Sequence, residues 1–299
     1  MRNKIFLLAL GIFLLSAYAP AYTIDGNLSD WGVDLTEDWG LNGTWVPSSG
    51  TADWIVEDNI DPDCPTQGTM PNWEGHNCLD WSGYTATGVH IQGTGSSYSV
   101  YDEPVFPDHG GIYEQPAGGE HYDIEAMYFD DDSHYAYFAI VTSMGPNGWA
   151  GWYPGDLALD LNRDGYYEYG IILTGSDQGK ICHNPGWSSP TDFPSSEPVR
   201  ITSCNNTAGI ADVVYTDTSI NDNEVKNWVI EIRAPKTALG EPVYGQISNL
   251  HATITCGNDV IELLSYTWDF PLPEFVSGLV AFLIVLVTPS FGYLLSKKR

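Results

Sequence analysis

The chain has 299 residues, of which 39 are Asp or Glu and only 11 are Lys or Arg, so its formal net charge is −28. This charge excludes nucleic acid and anionic lipid surfaces as favourable partners, because their phosphates would repel the protein. The 11 Trp, 18 Tyr, 31 Gly and 19 Pro are typical of a β-rich domain with long loops, not of a helical or disordered chain. We therefore expect an all-β protein built as an antiparallel β-sandwich.

The first residues have the pattern of a secretory signal peptide. Two basic side chains at Arg2 and Lys4 precede an apolar run over 5–15, and small residues follow as far as Ala21. We expect cleavage after Ala21, so that residues 1–21 form the signal peptide and the mature protein is exported. A membrane anchor is the alternative, but the apolar run is short for about 30 Å of hydrocarbon.

The last residues have the pattern of a membrane address. An almost uncharged stretch over 276–295 is long enough for one transmembrane helix, and the basic residues 296–299 follow it. A basic tail stays in the cytoplasm, so the preceding domain is expected outside the cell. The helix is preceded by Pro273, Glu274 and Phe275.

This order of Pro-Glu-Phe, apolar helix and short basic tail resembles the PEF-CTERM sorting signal of archaeal surface proteins. The resemblance implies an archaeosortase as processing partner, a membrane-embedded transpeptidase that removes the helix and can join the product to a membrane lipid. The tail would then be an address and not a permanent span. An ordinary transmembrane anchor remains the alternative.

The central region begins with residues 23–32, whose pattern x-Ile-Asp-Gly-x-Leu-x-Asp-Trp-Gly resembles the first strand and turn of DOMON-like and carbohydrate-binding-module-9-like β-sandwiches. Alternating runs over 121–142 and 155–173 predict two hairpins, and further strands are expected over 228–235 and 252–264. The resemblance implies one sandwich domain over 22–265, followed by a linker over 266–275. The loops between about 35 and 120 match that pattern poorly.

Residues 160–168 are the sharpest candidate for a metal site. Side-chain oxygens at the first, third and fifth positions, with Gly165 at the sixth, are typical of loops that wrap Ca²⁺. The acid expected at the twelfth position is replaced by Ile171, and Arg163 lies within the loop, so we expect a looser hairpin site and not an EF-hand. A plain hairpin turn is the alternative. The candidate ligands are Asp160, Asn162, Asp164, Tyr166 and Glu168.

A second acidic group precedes that loop in the chain. Glu120 and Asp123, together with Glu125 and the acidic run 130–132, could share a cation at a sheet edge, because Asp123 and Glu125 lie on the same face of a strand. One Ca²⁺ could also bridge this group and the 160–168 loop if their hairpins are neighbours. A solvated acidic face is the alternative.

Five cysteines in an exported chain indicate disulfides. Local pairing of Cys64 with Cys78 and of Cys182 with Cys204 is expected, and pairing of Cys204 with Cys256 is the competitor. Three Asn-x-Ser/Thr sequons predict glycosylation sites at Asn27, Asn42 and Asn205.

No catalytic motif or paired metal-binding histidines stand out, so we expect a protein that is not an enzyme. The expected function is a non-catalytic cell-surface or envelope protein, stabilised by Ca²⁺. A surface-displayed carbohydrate-binding module that contacts cell-surface glycans is the alternative. A redox or hydrolytic ectodomain is the third hypothesis, and the resemblance brings in haem because some DOMON-like domains bind it. Exposed loop aromatics could stack on sugars, or they could close the ends of the sandwich; the loop tryptophans are Trp45, Trp54, Trp73 and Trp81.

Overall fold

The computed structural model describes residues 21–36, 44–56, 89–95, 97–102, 120–191, 196–222, 225–257 and 259–270. The signal-peptide prediction over 1–20 and the linker, sorting-signal and anchor predictions over 271–299 lie outside these ranges. Within them the chain is all-β, with short 3-10 turns between strands. No helix of the described part has the length and apolar character needed to cross a bilayer.

Fifteen strands are described, and every pair of neighbouring strands is antiparallel. In chain order they are β1 (Asp53–Val56), β2 (Val89–Thr94), β3 (Ser97–Asp102), β4 (Ile124–Asp131), β5 (Tyr135–Thr142), β6 (Leu157–Asp160), β7 (Tyr169–Ile171), β8 (Lys180–His183), β9 (Gly186–Trp187), β10 (Ile201–Ser203), β11 (Thr207–Ile210), β12 (Asp212–Asp222), β13 (Val225–Pro235), β14 (Ile247–Thr253) and β15 (Val260–Thr267).

These strands form two large sheets and one small one. The seven-stranded sheet has the order β12-β13-β5-β4-β1-β2-β3, and the six-stranded sheet has the order β11-β8-β7-β6-β14-β15. β9 and β10 form a separate pair. A common hydrophobic core receives side chains from both large sheets, which is the arrangement of a sandwich.

Strand β4 shows that the centre of the larger sheet is buried on both faces. Successive side chains of a strand point to opposite faces, yet all eight residues of β4 are buried. Met127 and Phe129 enter the core between the two sheets, whereas Ala126 and Tyr128 enter a second core on the outer face. A third layer of chain must therefore cover the seven-stranded sheet.

The N-terminal segment supplies that third layer. Tyr22, Leu28, Trp31 and Val33 are all buried in the outer core, and the Trp31 ring stacks on Tyr22 with 4.0 Å between ring centroids. The segment is therefore not a strand of the sandwich, although the resemblance implied a first strand there. It lies across the sheet and seals it with aromatic side chains.

A buried carboxylate holds this layer in place. Glu231 on β13 is fully buried and accepts hydrogen bonds from the backbone of Gly26 (2.6 Å) and Asp25 (3.0 Å) and from the Trp31 indole (3.1 Å). Burial raises the pKa of Glu231, and these three donors oppose that rise. Gly26 has a φ of +82°, and a Cβ there would lie 2.0 Å from Oγ1 of Thr216, so only glycine fits.

The C-terminal end of the sandwich lies beyond the boundary expected at residue 265. β15 extends to Thr267, and Trp268 is fully buried in the core between the sheets. The Trp268 indole donates to the hydroxyl of Ser248 at 3.0 Å, which satisfies its buried N–H. Residues 266–268 therefore belong to the folded domain and not to a linker.

A buried ion pair holds the segment after β15. The ammonium group of Lys236, which has no exposed surface, lies 2.5 Å from the Asp131 carboxylate and also donates to the carbonyl of Phe270. Asp131 accepts backbone hydrogen bonds from Asp269 (2.9 Å) and Phe270 (3.3 Å). Burial raises the pKa of Asp131 to about 6, although Lys236 and the backbone donors act in the opposite direction.

The predicted disulfide between Cys182 and Cys204 is confirmed, with a Cα–Cα distance of 5.4 Å. It links β8 to the turn that joins β10 and β11, and so connects the small sheet to the six-stranded one. This pairing excludes the competing bond between Cys204 and Cys256. The Cys64–Cys78 prediction lies outside the described residues.

We expect the Lys236→Met variant to lose about 3–5 kcal/mol of unfolding free energy at pH 7, because it leaves the buried Asp131 carboxylate without its cation. Asp177→Ala is the control, since it breaks an exposed ion pair with Lys180 and should cost less than about 1 kcal/mol. Urea unfolding under non-oxidising, non-reducing conditions measures both. Equal losses in the two variants would contradict a structural role for the buried pair.

Candidate cation-binding loop and aromatic groove

The loop over 161–168 connects β6 to β7 in a hairpin of the six-stranded sheet, in which Leu159 is paired with Tyr169. Two residues of the loop, Arg163 and Gly165, have positive φ values of 61° and 84°. This backbone reversal turns the amides of Asp164 and Gly165 towards the Asp160 carboxylate, to which they donate at 3.2 and 3.0 Å. The loop is thus organised around the side chain of Asp160.

Three carboxylates of the loop converge. One oxygen each of Asp160, Asp164 and Glu168 lies within 4.8 Å of the others. Ca²⁺ ligands lie about 2.3–2.6 Å from the ion, so ligands on opposite sides of one ion are about 5 Å apart. The three oxygens therefore have the spacing to bind a single cation. Asp160 is buried, Glu168 half-buried and Asp164 exposed, which leaves one side of the group open to water.

The other two predicted ligands lie close to this group. The side-chain oxygen of Asn162 accepts from the Asp164 amide at 2.9 Å, and its side-chain amide donates to Glu168. Tyr166 has an exposed ring, and its backbone amide donates to Asp164 at 2.9 Å. The hairpin therefore brings all five predicted residues of the loop together. The same hydrogen bonds also stabilise an ordinary turn rich in Asp and Asn that binds no ion.

The loop is fastened to the strands beside it. The carbonyl of Leu161 accepts hydrogen bonds from the side chains of Gln246 (2.9 Å) and Ser248 (3.0 Å) at the start of β14. The Tyr167 hydroxyl donates to Glu262 at 3.2 Å, and Glu262 also contacts the His251 ring at 3.0 Å. Burial opposes ionisation of Glu262, but these two partners outweigh it and lower its pKa.

Asp123, in the second acidic group, lies away from this loop. It is buried just before β4, where the neighbouring amide of Ile124 donates to Asp259 beyond the far end of β14. Asp160 is paired with Asn249 near the start of β14, so most of that strand separates Asp123 from the loop. An ion shared by Asp123 and the loop, as predicted, is therefore contradicted by the structure. Glu120 begins a short 3-10 turn, and its side chain lies outside the described part.

The acidic run 130–132 is not a solvated face. Asp130, Asp131 and Asp132 are all buried, and each has protein partners. Asp130 accepts from the Tyr22 hydroxyl at 2.5 Å, and Asp132 accepts from the Tyr137 hydroxyl at 2.5 Å. These carboxylates are structural hydrogen-bond acceptors in the hairpin between β4 and β5.

An aromatic groove lies at the opposite end of the sandwich from the loop. It has a volume of about 250 Å³ and is formed by the β5–β6 connection, the start of β13 and the 3-10 turn before β4. The Trp149 ring is half-exposed and stacks on His121 with 3.9 Å between centroids. The polar and aromatic side chains that line the groove are His121, Ser143, Asn147, Trp149, Lys226 and Trp228.

Cationic and polar groups accompany the rings of this groove. The Lys226 ammonium lies 6.0 Å from the Trp228 ring centroid and forms an ion pair with Asp217. Burial lowers the pKa of His121, so its ring is neutral at physiological pH and can donate or accept a hydrogen bond. The groove therefore combines flat apolar faces with hydrogen-bonding side chains.

The sugar-stacking role expected for Trp45 and Trp54 is corrected by their burial. Trp45 and Trp54 have no exposed surface and belong to the outer core, so neither ring is available to a sugar. Trp73 and Trp81 lie outside the described residues. The aromatic groove was missed by sequence reasoning, although the run Gly-Trp-Ala-Gly-Trp-Tyr-Pro over 148–154 places aromatics in a glycine-rich connection, which is the signal that could have identified it.

Two of the three predicted glycosylation sites lie on the described surface. Asn27 and Asn205 are both exposed. The Asn27 side-chain oxygen accepts from the Ser29 amide at 2.9 Å. Asn42 lies outside the described residues.

No protein-family model, curated protein or solved structure matches this chain. The loop offers oxygen ligands to a hard cation, and the groove offers ring faces to a small polar ligand.

We expect Ca²⁺ to raise the thermal unfolding midpoint, because an ion bound only by the folded loop stabilises it. At a hundredfold excess over Kd the gain is about 2.7 kcal/mol, or about 5–10 °C for a domain of this size. Asp160→Asn should abolish the shift, whereas Asp177→Asn, in an exposed turn outside the loop, should keep it. Differential scanning calorimetry with CaCl₂, MgCl₂ or EDTA tests this. No shift with either cation would identify the loop as a plain turn.

Proposed function

We propose that this chain is a non-catalytic protein of the cell surface or envelope. Its all-β domain is exported by the N-terminal signal and held at the membrane through the C-terminal sorting signal or helix. A Ca²⁺ ion in the 160–168 loop stabilises the domain. The processing partner is an archaeosortase-type enzyme, and membrane lipid is the attachment.

The observation that best supports export is the disulfide between Cys182 and Cys204. Disulfides persist in oxidising compartments outside the cytosol, and this one ties β8 to the turn between β10 and β11. The acidic, oxygen-lined loop is consistent with the same location, because extracellular modules commonly bind Ca²⁺ through carboxylates. The basic and apolar patterns at the two ends of the chain supply the address.

Intact mass spectrometry of the protein recovered from its native membrane tests this function. We expect a mass that lacks residues 1–21 and the segment after Phe275, with lipid or glycan added and one disulfide retained between Cys182 and Cys204. A mass that retains residues 276–299 would show that the C-terminal segment is a plain single-span anchor and not a sorting signal. Recovery of an unprocessed, reduced chain from the cytosol would overturn export itself.

A carbohydrate-binding module is the second candidate function, and the aromatic groove favours it. Half-exposed Trp149 offers a ring face, while Asn147, Ser143 and Lys226 offer hydrogen-bonding groups beside it. Binding sites for small ligands combine apolar walls with a few polar groups in this way. A volume of about 250 Å³ is below the usual range for drug-sized ligands, so the groove suits one sugar residue or the end of a glycan.

We expect the Trp149→Ala variant to bind its glycan about tenfold more weakly, because it removes an aromatic contact worth about 1.4 kcal/mol. Tyr244→Ala is the control, since Tyr244 is exposed at the other end of the domain and should leave binding unchanged. A glycan array identifies the ligand, and titration calorimetry compares the variants. An array without signal would remove the sugar-binding candidate and leave the surface role intact.

A further inference from the structure

An exposed apolar turn lies where the described chain leaves the sandwich. Val243 and Tyr244 are 64% and 68% exposed, Ile247 is 43% exposed, and Phe270, the last described residue, is 40% exposed. We call these four side chains the exit patch. Single exposed apolar residues are ordinary, but a group of four around one point indicates a surface that contacts something apolar.

Hydrogen bonds join the two parts of the exit patch. The amide of Gly245 donates to the carbonyl of Trp268 at 2.8 Å, and the amide of Trp268 donates to the carbonyl of Gln246 at 3.0 Å. The buried Lys236 holds the Phe270 carbonyl and so fixes the end of the described chain against the domain. The turn over 243–247 and the chain exit are therefore one rigid feature.

The exit patch and the aromatic groove lie at opposite ends of the domain. β14 begins at Ile247 in the patch and ends at Thr253, and just beyond it the Thr255 amide donates to the carbonyl of Tyr153 beside the groove at 3.0 Å. A strand of seven residues is about 23 Å long. β4, which has eight residues, also runs from the groove end to the Asp131 carboxylate that binds residues 269 and 270.

The chain outside the described part limits how far the exit patch can be from a membrane. Only 271–275 separate Phe270 from the apolar stretch that begins at 276. Even a fully extended connection of this length spans no more than about 20 Å. A tethered domain could lie on its side or stand on its exit end, and the position of its exposed aromatics decides which.

We propose that the exit patch rests in the headgroup region of the lipid bilayer, so that the domain stands upright and the aromatic groove faces away from the cell. This inference rests on the proposed membrane anchoring. Tyrosine and phenylalanine beside aliphatic residues are the side chains that favour the membrane interface. Glu241 and Asp269 lie next to the patch, so the contact is with lipid in general and not with anionic headgroups.

Oxidative footprinting of Tyr244 and Tyr153 tests the orientation without altering the protein. The full chain is reconstituted in phosphatidylcholine vesicles, isolated by flotation, exposed to hydroxyl radicals and digested for mass spectrometry. Tyr244 is more exposed than Tyr153 in the domain alone, so it would be oxidised faster if the exit patch faced water. We expect the opposite order, with Tyr244 about threefold slower, because the patch is buried in the headgroup layer.

The Val243→Asp variant supplies the matched control. Val243 is exposed, so the substitution leaves the fold intact, but it places a charge in the interface and should restore fast oxidation of Tyr244. Faster oxidation of Tyr244 than of Tyr153 in the unaltered, vesicle-bound protein would overturn the orientation while the anchor stands. Equal protection of both tyrosines would show a domain lying on its side. Failure to float with the vesicles would overturn the anchor and, with it, this inference.

Discussion

The centre of the seven-stranded sheet is buried on both faces, and the rest of the structure follows from that constraint. Its central strands direct alternate side chains into two cores, so each face needs its own cover. The six-stranded sheet covers one face, and the N-terminal segment covers the other. Glu231 lies where this segment meets β13, and it satisfies two backbone amides and an indole at once. Such a carboxylate costs free energy to bury, and its three donors offset that cost.

Pairing of buried polar groups also explains how one end of the sandwich is held together. Asp131 and Lys236 neutralise each other beneath Trp268 and hold the chain after β15 against the hairpin of β4 and β5. Asp130 and Asp132 accept from tyrosine hydroxyls of neighbouring segments. The acidic run 130–132 is therefore buried and connects neighbouring segments, instead of lying on the surface. A further three carboxylates converge in the 160–168 loop, where Asp160 is buried, Glu168 half-buried and Asp164 exposed.

The two candidate sites lie at opposite ends of one rigid body. The acidic loop is bonded to the start of β14, near the point where the chain leaves the domain. The aromatic groove is built from the connections at the other end of β4 and β14 and from the start of β13. With the proposed C-terminal tether, the aromatic groove would lie about one strand length from the point of attachment. This geometry is consistent with the proposed surface role, in which the outer end of the domain meets a ligand.

Local patterns in the sequence determined much of this architecture. Alternating apolar residues around a short polar turn indicated the hairpin of β4 and β5, because the period of a strand is read from neighbouring residues. The spacing of Asp160, Asn162, Asp164 and Gly165 indicated a turn that gathers oxygens, and the 22-residue separation of Cys182 and Cys204 agreed with a local disulfide. Only the tertiary structure decided which polar and aromatic groups are buried. Trp45, Trp54 and Trp149 are the same residue type, yet Trp45 and Trp54 lie in the outer core while Trp149 faces solvent. Burial depends on contacts between segments distant in sequence, such as Gly26 and Glu231, and no local pattern records those contacts.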